Sequence, residues 1–157
     1  YFWGMLSKKT KYAINALIYI AKKKDENPVM SSEISKQQNI PKKFLERILL
    51  DLKEAEILGS KRGRHGGYFL SKTTDQINLA EVMRLFDGAI ASLPCVTHDY
   101  YEPCEECRYE EQCGIRHAFM ELKHMTVKFL KSCTLKDILT REYLLTWLLD
   151  HFNLSTF

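Results

Sequence analysis

Four cysteines fall within nineteen residues, Cys95, Cys104, Cys107 and Cys113, and they are the densest chemistry in the chain. Thiolates are soft ligands that suit zinc or an iron–sulfur centre, and Cys104-x-x-Cys107 is a chelate by itself. The same sulfurs without metal would serve as a thiol or disulfide switch. Thiol exchange is a further reading of Cys-x-x-Cys, but that motif normally opens a helix in a strand–helix fold. Here it sits among Glu102, Glu105, Glu106, Glu110 and Glu111, whose charges disfavour an attacking thiolate. His117 follows closely as a weaker candidate ligand, whereas His98 and His124 read as surface or interface histidines. Cys133 reads as a buried small apolar residue.

A second constellation, upstream, is basic. Arg62, Arg64 and His65 stand beside Gly63, Gly66 and Gly67, so a flexible turn carries positive charge close to whatever it touches. Such a turn suits a phosphate or a minor groove. Before it, Lys42, Lys43, Glu46 and Arg47 share the outward side of an amphipathic segment. An arginine there can read a guanine edge in bidentate fashion, and a glutamate can accept from a cytosine amino group. Lys8, Lys9 and Lys11 are candidate phosphate contacts, and Ser32 opens a short helix ahead of the basic segment.

These side chains need elements to hold them. Ala13, Ala16, Leu17, Ile20 and Ala21 have helical spacing over 8–24, and Asn27-Pro28 stops that helix. Ser31 or Ser32 is expected to cap a short second helix, with Asn39 as its left-handed terminator and Pro41 in the first turn of the third. A third helix with Phe44, Leu45, Ile48, Leu49 and Leu52 inward then follows after only a few residues, which is helix-turn-helix spacing. Short strands over 57–60 and 68–70 enclose the glycine-rich turn as a hairpin. Asn78 caps the next helix, with Glu81 as its reciprocal partner, and Asp87-Gly88 ends it. The stretch 91–112 lacks periodicity and is long for a structureless loop, which favours a functional or metal-ordered segment. From Gly114 a long helix carries Ile115, Ala118, Leu122, Met125 and Phe129 at a 3-4-3-4 spacing, a seam for another helix. Thr134 with Asp137 caps a last helix through His151, bearing Ile138, Leu145, Trp147, Leu148 and Leu149.

The bulk numbers agree with this division. The 157 residues carry a formal charge of only +3, yet residues 5–72 hold 15 Lys/Arg against 7 Asp/Glu, and residues 73–157 hold 8 against 13. A polyanion therefore belongs to the first half. No apolar run reaches membrane-helix length, and no signal peptide is evident. With five cysteines, an odd count, a disulfide framework is not expected, and a reducing, cytoplasmic compartment is inferred. Residues 1–4, Tyr-Phe-Trp-Gly, read as an expression-tag remnant. No nucleophile–base pair or phosphate-cradling loop points to an enzyme.

The run Ser32-Glu33-Ile34, Ile40-Pro41, Phe44-Leu45-Glu46, Leu49, Leu52, Ala55, then Gly63, Gly66-Gly67-Tyr68 and Leu70 resembles the Rrf (two) family of bacterial winged-helix regulators. The opening Lys11-Tyr12-Ala13, the later Ile77-Asn78-Leu79-Ala80-Glu81-Val82 and Thr134-Leu135-Lys136-Asp137-Ile138 are similar to it as well. The resemblance covers about 5–139, and the Arg-Gly-x-x-Gly-Gly-Tyr wing is its most specific part. It implies a mainly α fold with a small β-hairpin wing, a winged helix-turn-helix over 5–88, a cysteine-bearing sensor loop over 89–113, and a dimerisation helix plus C-terminal helix over 114–157. It implies a homodimeric repressor on palindromic double-stranded promoter DNA. The DNA-facing residues would be Lys42, Lys43, Glu46 and Arg47 on the helix, with Arg62, Arg64, His65 and Gly66 on the wing. Pro41, Lys42 and Lys43 depart from the small polar residues usual there, which leaves the operator sequence open. Cluster-binding members place three cysteines in this loop, the last opening the dimer helix. Cys107 and Cys113 match the last two, with Gly114-Ile115-Arg116 following. Cys95 takes the first place after a longer gap. Cys104 either replaces Cys107 or adds a fourth sulfur to a [2Fe–2S] or [4Fe–4S] cluster. Zinc, or regulation without any cluster, remains the alternative.

Overall fold

A computed structural model describes residues 6–23, 28–98 and 100–152. The expected tag remnant at 1–4 and the end of the first helix at Asn27 lie outside the described residues, as does the side chain of Leu149. Helix α1 (Lys8–Lys22) starts where the Ser7 hydroxyl accepts the Thr10 N–H at 3.1 Å. Its Ala13, Ala16, Leu17 and Ile20 are buried. Helix α2 (Ser31–Gln38) and helix α3 (Lys42–Glu54) follow. Asn39 turns the chain between them in the left-handed conformation (φ 51°, ψ 43°), and Ser35 Oγ donates to the Ile40 carbonyl at 2.7 Å. Pro41 stands just outside α3, and its carbonyl accepts the Phe44 and Leu45 N–H groups.

Leu45, Ile48, Leu49 and Leu52 of α3 are fully buried against Ile34, Leu17 and Ile20. Leu49→Ala should cost about 2–5 kcal/mol of unfolding free energy in a urea titration, as a large-to-small change in a closed core does. Phe44, expected inside, is instead 42% exposed and meets Tyr12 edge-on at 5.8 Å. It lies on the flank of the apolar stripe, so it covers α1 rather than entering the core.

Strands β1 (Leu58–Lys61) and β2 (Gly67–Leu70) pair antiparallel, with Leu58 opposite Leu70 and Lys61 opposite Gly67. Val29 adds an isolated bridge to β2, exchanging backbone hydrogen bonds with Tyr68 at 2.9 and 2.8 Å. The close approach needs Gly67, where a Cβ would lie 2.3 Å from the Val29 carbonyl oxygen. This bridge also fixes the entry to α2. Neither Ser31 nor Ser32 caps that helix. Met30 is the cap residue, and its carbonyl accepts the Glu33 and Ile34 N–H groups while Ser31 already lies within the first turn.

Helix α4 (Leu79–Asp87) is capped by the Asn78 side chain, which accepts the Glu81 N–H at 3.0 Å, and Gly88 (φ 76°) ends it. The Glu81 carboxylate does not reach back to Asn78. It takes Lys72 Nζ at 2.6 Å instead, a charged partner outcompeting a neutral one. Helix α5 (Gly114–Ser132) and helix α6 (Leu135–Phe152) complete the chain. Their joint is pinned to the body by Leu79 N–H to the Cys133 carbonyl and Leu135 N–H to the Ile77 carbonyl. Thr134 and Asp137 cap α6 reciprocally, the Thr134 N–H donating to Asp137 Oδ2 at 2.8 Å and the Asp137 N–H to Thr134 Oγ1 at 3.2 Å. The Thr134 hydroxyl, donating to Asp137 Oδ2 at 2.7 Å, and then the Thr134 N–H hold the Asp137 carboxyl below its ordinary range. Cys133 is buried, as expected. No helix among the described residues is long and apolar enough to cross a membrane.

Candidate nucleic-acid interface and cysteine loop

The inward stripe of α3 leaves Lys42, Lys43, Glu46 and Arg47 on its solvent side, near its N-terminal end, and all four are exposed. Ser32 and Lys8 are exposed too. Lys42 and Glu46 approach at 3.9 Å, one turn apart, an exposed pair worth little by itself. Arg47 stays 68% exposed while its Nε forms an ion pair with Asp51 Oδ1 at 3.1 Å. Lys9 differs from the other cations. Its ammonium donates to Asp51 Oδ2 at 2.8 Å and lies 4.9 Å from the centre of the Phe86 ring. It ties α1 to α3 and α4 rather than projecting toward a phosphate. Asp51 is thus a shared counter-charge that the sequence did not single out.

At the wing tip Arg62, Gly63, Arg64 and His65 are exposed. Gly63 adopts φ 110°, and its carbonyl accepts the Gly66 N–H at 2.9 Å, closing the turn. Gly66 itself is buried, with the Lys61 carbonyl oxygen 2.3 Å from where a Cβ would stand. Its part in the interface is to shape the turn, and the contact surface consists of the two arginines and the histidine.

The cysteine loop is organised from α5. Cys113 caps that helix, its sulfur accepting the Arg116 N–H at 3.4 Å. The Arg116 side chain reaches back across the loop, Nε donating to the Cys95 carbonyl at 3.2 Å, and lies 3.7 Å from the Glu110 carboxylate. Glu110 in turn accepts the Tyr101 hydroxyl at 2.8 Å and the Cys104 N–H at 3.4 Å. Lys123 Nζ donates to the Val96 carbonyl at 2.6 Å. Arg116, Glu110 and Lys123 are therefore the side chains that fold this loop. Their only sequence signal was opposite charge on either side of the α5 start.

Three of the sulfurs are neighbours. Cys113 first, and then Cys104, push the pKa of the Cys107 thiol up to about 12, while the Cys104 thiol itself donates to Glu106 Oε2 at 3.5 Å. Cys113 shifts the other way, because the Arg116 backbone N–H and the Cys107 thiol both favour its thiolate. Cys95 is buried, and among the described residues no hydrogen bond joins its thiol to the other three. Nor do three metal-ligating side chains converge as a preformed cage among the described residues. The trio forms a row through Cys107. His117 Nε2 donates to the Glu111 carbonyl at 3.3 Å. In reduced, metal-free protein, iodoacetamide near neutral pH should alkylate Cys113 ahead of Cys107, since the thiolate is the reactive form. Peptide mapping at short times would read this, and faster labelling of Cys107 would contradict the arrangement.

Along α5 the seam residues Ile115, Leu122, Met125 and Phe129 are 67%, 43%, 64% and 55% exposed, and no residue of this helix is buried. Packing within one chain does not account for the seam. The α6 residues Tyr143, Leu144, Leu145, Trp147 and Leu148 are exposed as well.

Comparison with known proteins bears on both halves of the site. The profile of the Rrf2 family, described as iron-dependent transcriptional regulator, matches residues 6–141. An rrf2-like HTH-type transcriptional regulator of Rhodobacter capsulatus is 39% identical over 138 residues, covering 86% of this chain and 92% of the relative. The HTH-type transcriptional regulator IscR of Sodalis glossinidius is 29% identical over 140 residues, covering 89% and 81%. Among solved structures, the global cysteine regulator CymR of B. subtilis superposes with a TM-score of 0.71 at 26% identity, covering 87% of this chain and 96% of that one.

Proposed function

Because the chain belongs to the Rrf2 family of transcriptional regulators, and is a DNA-binding regulator rather than an enzyme, we propose that it works as a homodimeric, cytoplasmic repressor whose cysteine loop senses iron–sulfur, redox or nitric-oxide status. Each protomer would enter a major groove with the start of α3, where Lys42, Lys43, Glu46 and Arg47 face bases. Arg62, Arg64 and His65 would follow the adjoining backbone or minor groove. The exposed α5 seam supports pairing of two protomers, hence a palindromic promoter site. The observation that carries the sensing half is the position of Cys113, whose sulfur belongs to the loop and also caps the first turn of the helix with that seam. A change at this sulfur reaches the dimer helix without an intermediary.

The donor set suits an iron–sulfur cluster, [2Fe–2S] or [4Fe–4S], since thiolates are its usual soft ligands and Cys107 neighbours both Cys113 and Cys104. Cys104, Cys107 and Cys113 would hold it, with Cys95 as the fourth candidate. When bound, it would supply a centre whose state changes with electrons, oxygen or nitric oxide. The chain's own part is to hold the sulfurs through Arg116 and Glu110 and to couple Cys113 to α5. A second reading is favoured by the Cys107–Cys113 thiol contact: the same sulfurs, bound to zinc or oxidised to a disulfide, would regulate without a cluster. Anaerobic purification with iron, sulfide and zinc analysis and a visible spectrum decides. Iron and sulfide in equal amounts with visible charge-transfer bands support the cluster. A colourless protein that cannot be reconstituted leaves the zinc or thiol reading.

A further inference from the structure

We propose that Asp51 sets sequence specificity, by holding Arg47 in a reading position from a carboxylate that Lys9 anchors to the protein body. The inference deepens the DNA-binding reading above and rests on it. Three observations carry it. Asp51 spends one oxygen on each cation, Oδ2 on Lys9 at 2.8 Å and Oδ1 on Arg47 at 3.1 Å. Its side chain is only 15% exposed, whereas that of Arg47 is 68% exposed, so the anion is built in and the cation projects. Lys9 is itself held, packed over the Phe86 ring of α4.

The chemistry follows from the guanidinium. Arginine has five N–H donors in a fixed fork, and the Asp51 carboxylate sits against its Nε side as the paired charge. The terminal nitrogens remain as the outward edge, which is the edge that meets guanine O6 and N7. A long side chain already held on one side loses less freedom when it binds. The carboxylate acts a second way. Close to a polyanion it opposes attachment that lacks a compensating base contact, so it weakens phosphate-only binding relative to the correct site. Lys9 offsets that charge within the protein, which lets an acid stand beside a DNA-facing helix. An exposed i,i+4 pair alone would mean little. The third member, from another helix, turns this pair into a fixed mount.

The test begins with wild-type full-length protein and a randomised duplex pool, from which the preferred sequence is selected. Affinities for that duplex and for its single base-pair variants are then measured at fixed salt. Asp51→Asn keeps the shape and removes the charge. Its preference at the base pair read by Arg47 should fall roughly tenfold, the scale of a good bidentate contact, while affinity for unrelated duplex is unchanged or rises. In an Arg47→Ala background Asp51→Asn should do nothing further to that preference. Lys9→Met, which keeps the packing on Phe86, should blunt the same preference and guards against a folding defect peculiar to Asp51→Asn. A preference that survives Asp51→Asn, or one that falls equally without Arg47, overturns the assignment. A wild-type protein that enriches no sequence at all overturns the DNA-binding reading itself, and the two failures are thereby told apart.

Discussion

Leu122→Glu together with Met125→Glu should leave each protomer folded and abolish the proposed dimer. Both side chains are already exposed in the single chain, at 43% and 64%, so the carboxylates cost the isolated fold little. In a pair of α5 helices the same positions would bury four unpaired charges, which no exposed-face rearrangement relieves. The effect on DNA binding follows from geometry. Two linked readers hold the second half-site at an effective concentration in the millimolar range, and avidity gains of about 10²–10⁴-fold come from the linkage alone. A monomer should therefore lose about that factor on a two-half-site duplex and almost nothing on a single half-site. Sedimentation and DNA titration of the same preparation would show it. A double variant that still sediments as a dimer would mean that the seam is not the interface.

The second large effect is expected from Gly66→Ala. A single methyl group would stand 2.3 Å from the Lys61 carbonyl oxygen and 2.9 Å from the Gly63 carbonyl oxygen, backbone atoms that cannot turn aside. Opening the turn to admit it should cost about 1–3 kcal/mol, the usual range for overpacking, and should displace Arg62 and Arg64 together. The contrast is Arg64→Ala, which leaves the turn intact. That variant should unfold at the wild-type denaturant midpoint while the slope of log affinity against log salt falls by about one contact. Gly66→Ala should move both readouts. An unchanged midpoint would show that the wing tip gives more easily than its packing indicates.

These contrasts also mark what could be read from the chain alone. Periodicity located α1 and α3 because each buries a stripe: in α3, Leu45, Ile48, Leu49 and Leu52 repeat at helical spacing and are all fully buried. Local capping was legible for the same reason, since Asn78 and Thr134 act on residues three positions away. What escaped was partnership at long sequence distance. Asp51 gains its meaning from Lys9, 42 positions earlier, and Arg116 from Cys95, 21 positions earlier. The missing cap on α2 has the same origin, because Tyr68 claims Val29 and so fixes where the helix starts. In the cysteine loop, type and spacing identified sulfur chemistry. They did not distinguish the row of Cys104, Cys107 and Cys113 from the buried Cys95, because that difference depends on how the loop folds under Arg116 and Lys123.

The bridge between Val29 and Tyr68 has a mechanical meaning. It joins the base of the wing to the start of α2, and α2 is joined to α3 by a turn locked through Asn39 and Ser35. Wing tip and α3, the proposed reading helix, are thus two arms of one caliper whose opening is set inside the protomer. A rigid caliper cannot adjust its own grip to a signal. In a dimeric regulator built from two of them, the adjustable quantity is the separation and twist between calipers, and that quantity is carried by α5, whose first turn Cys113 holds.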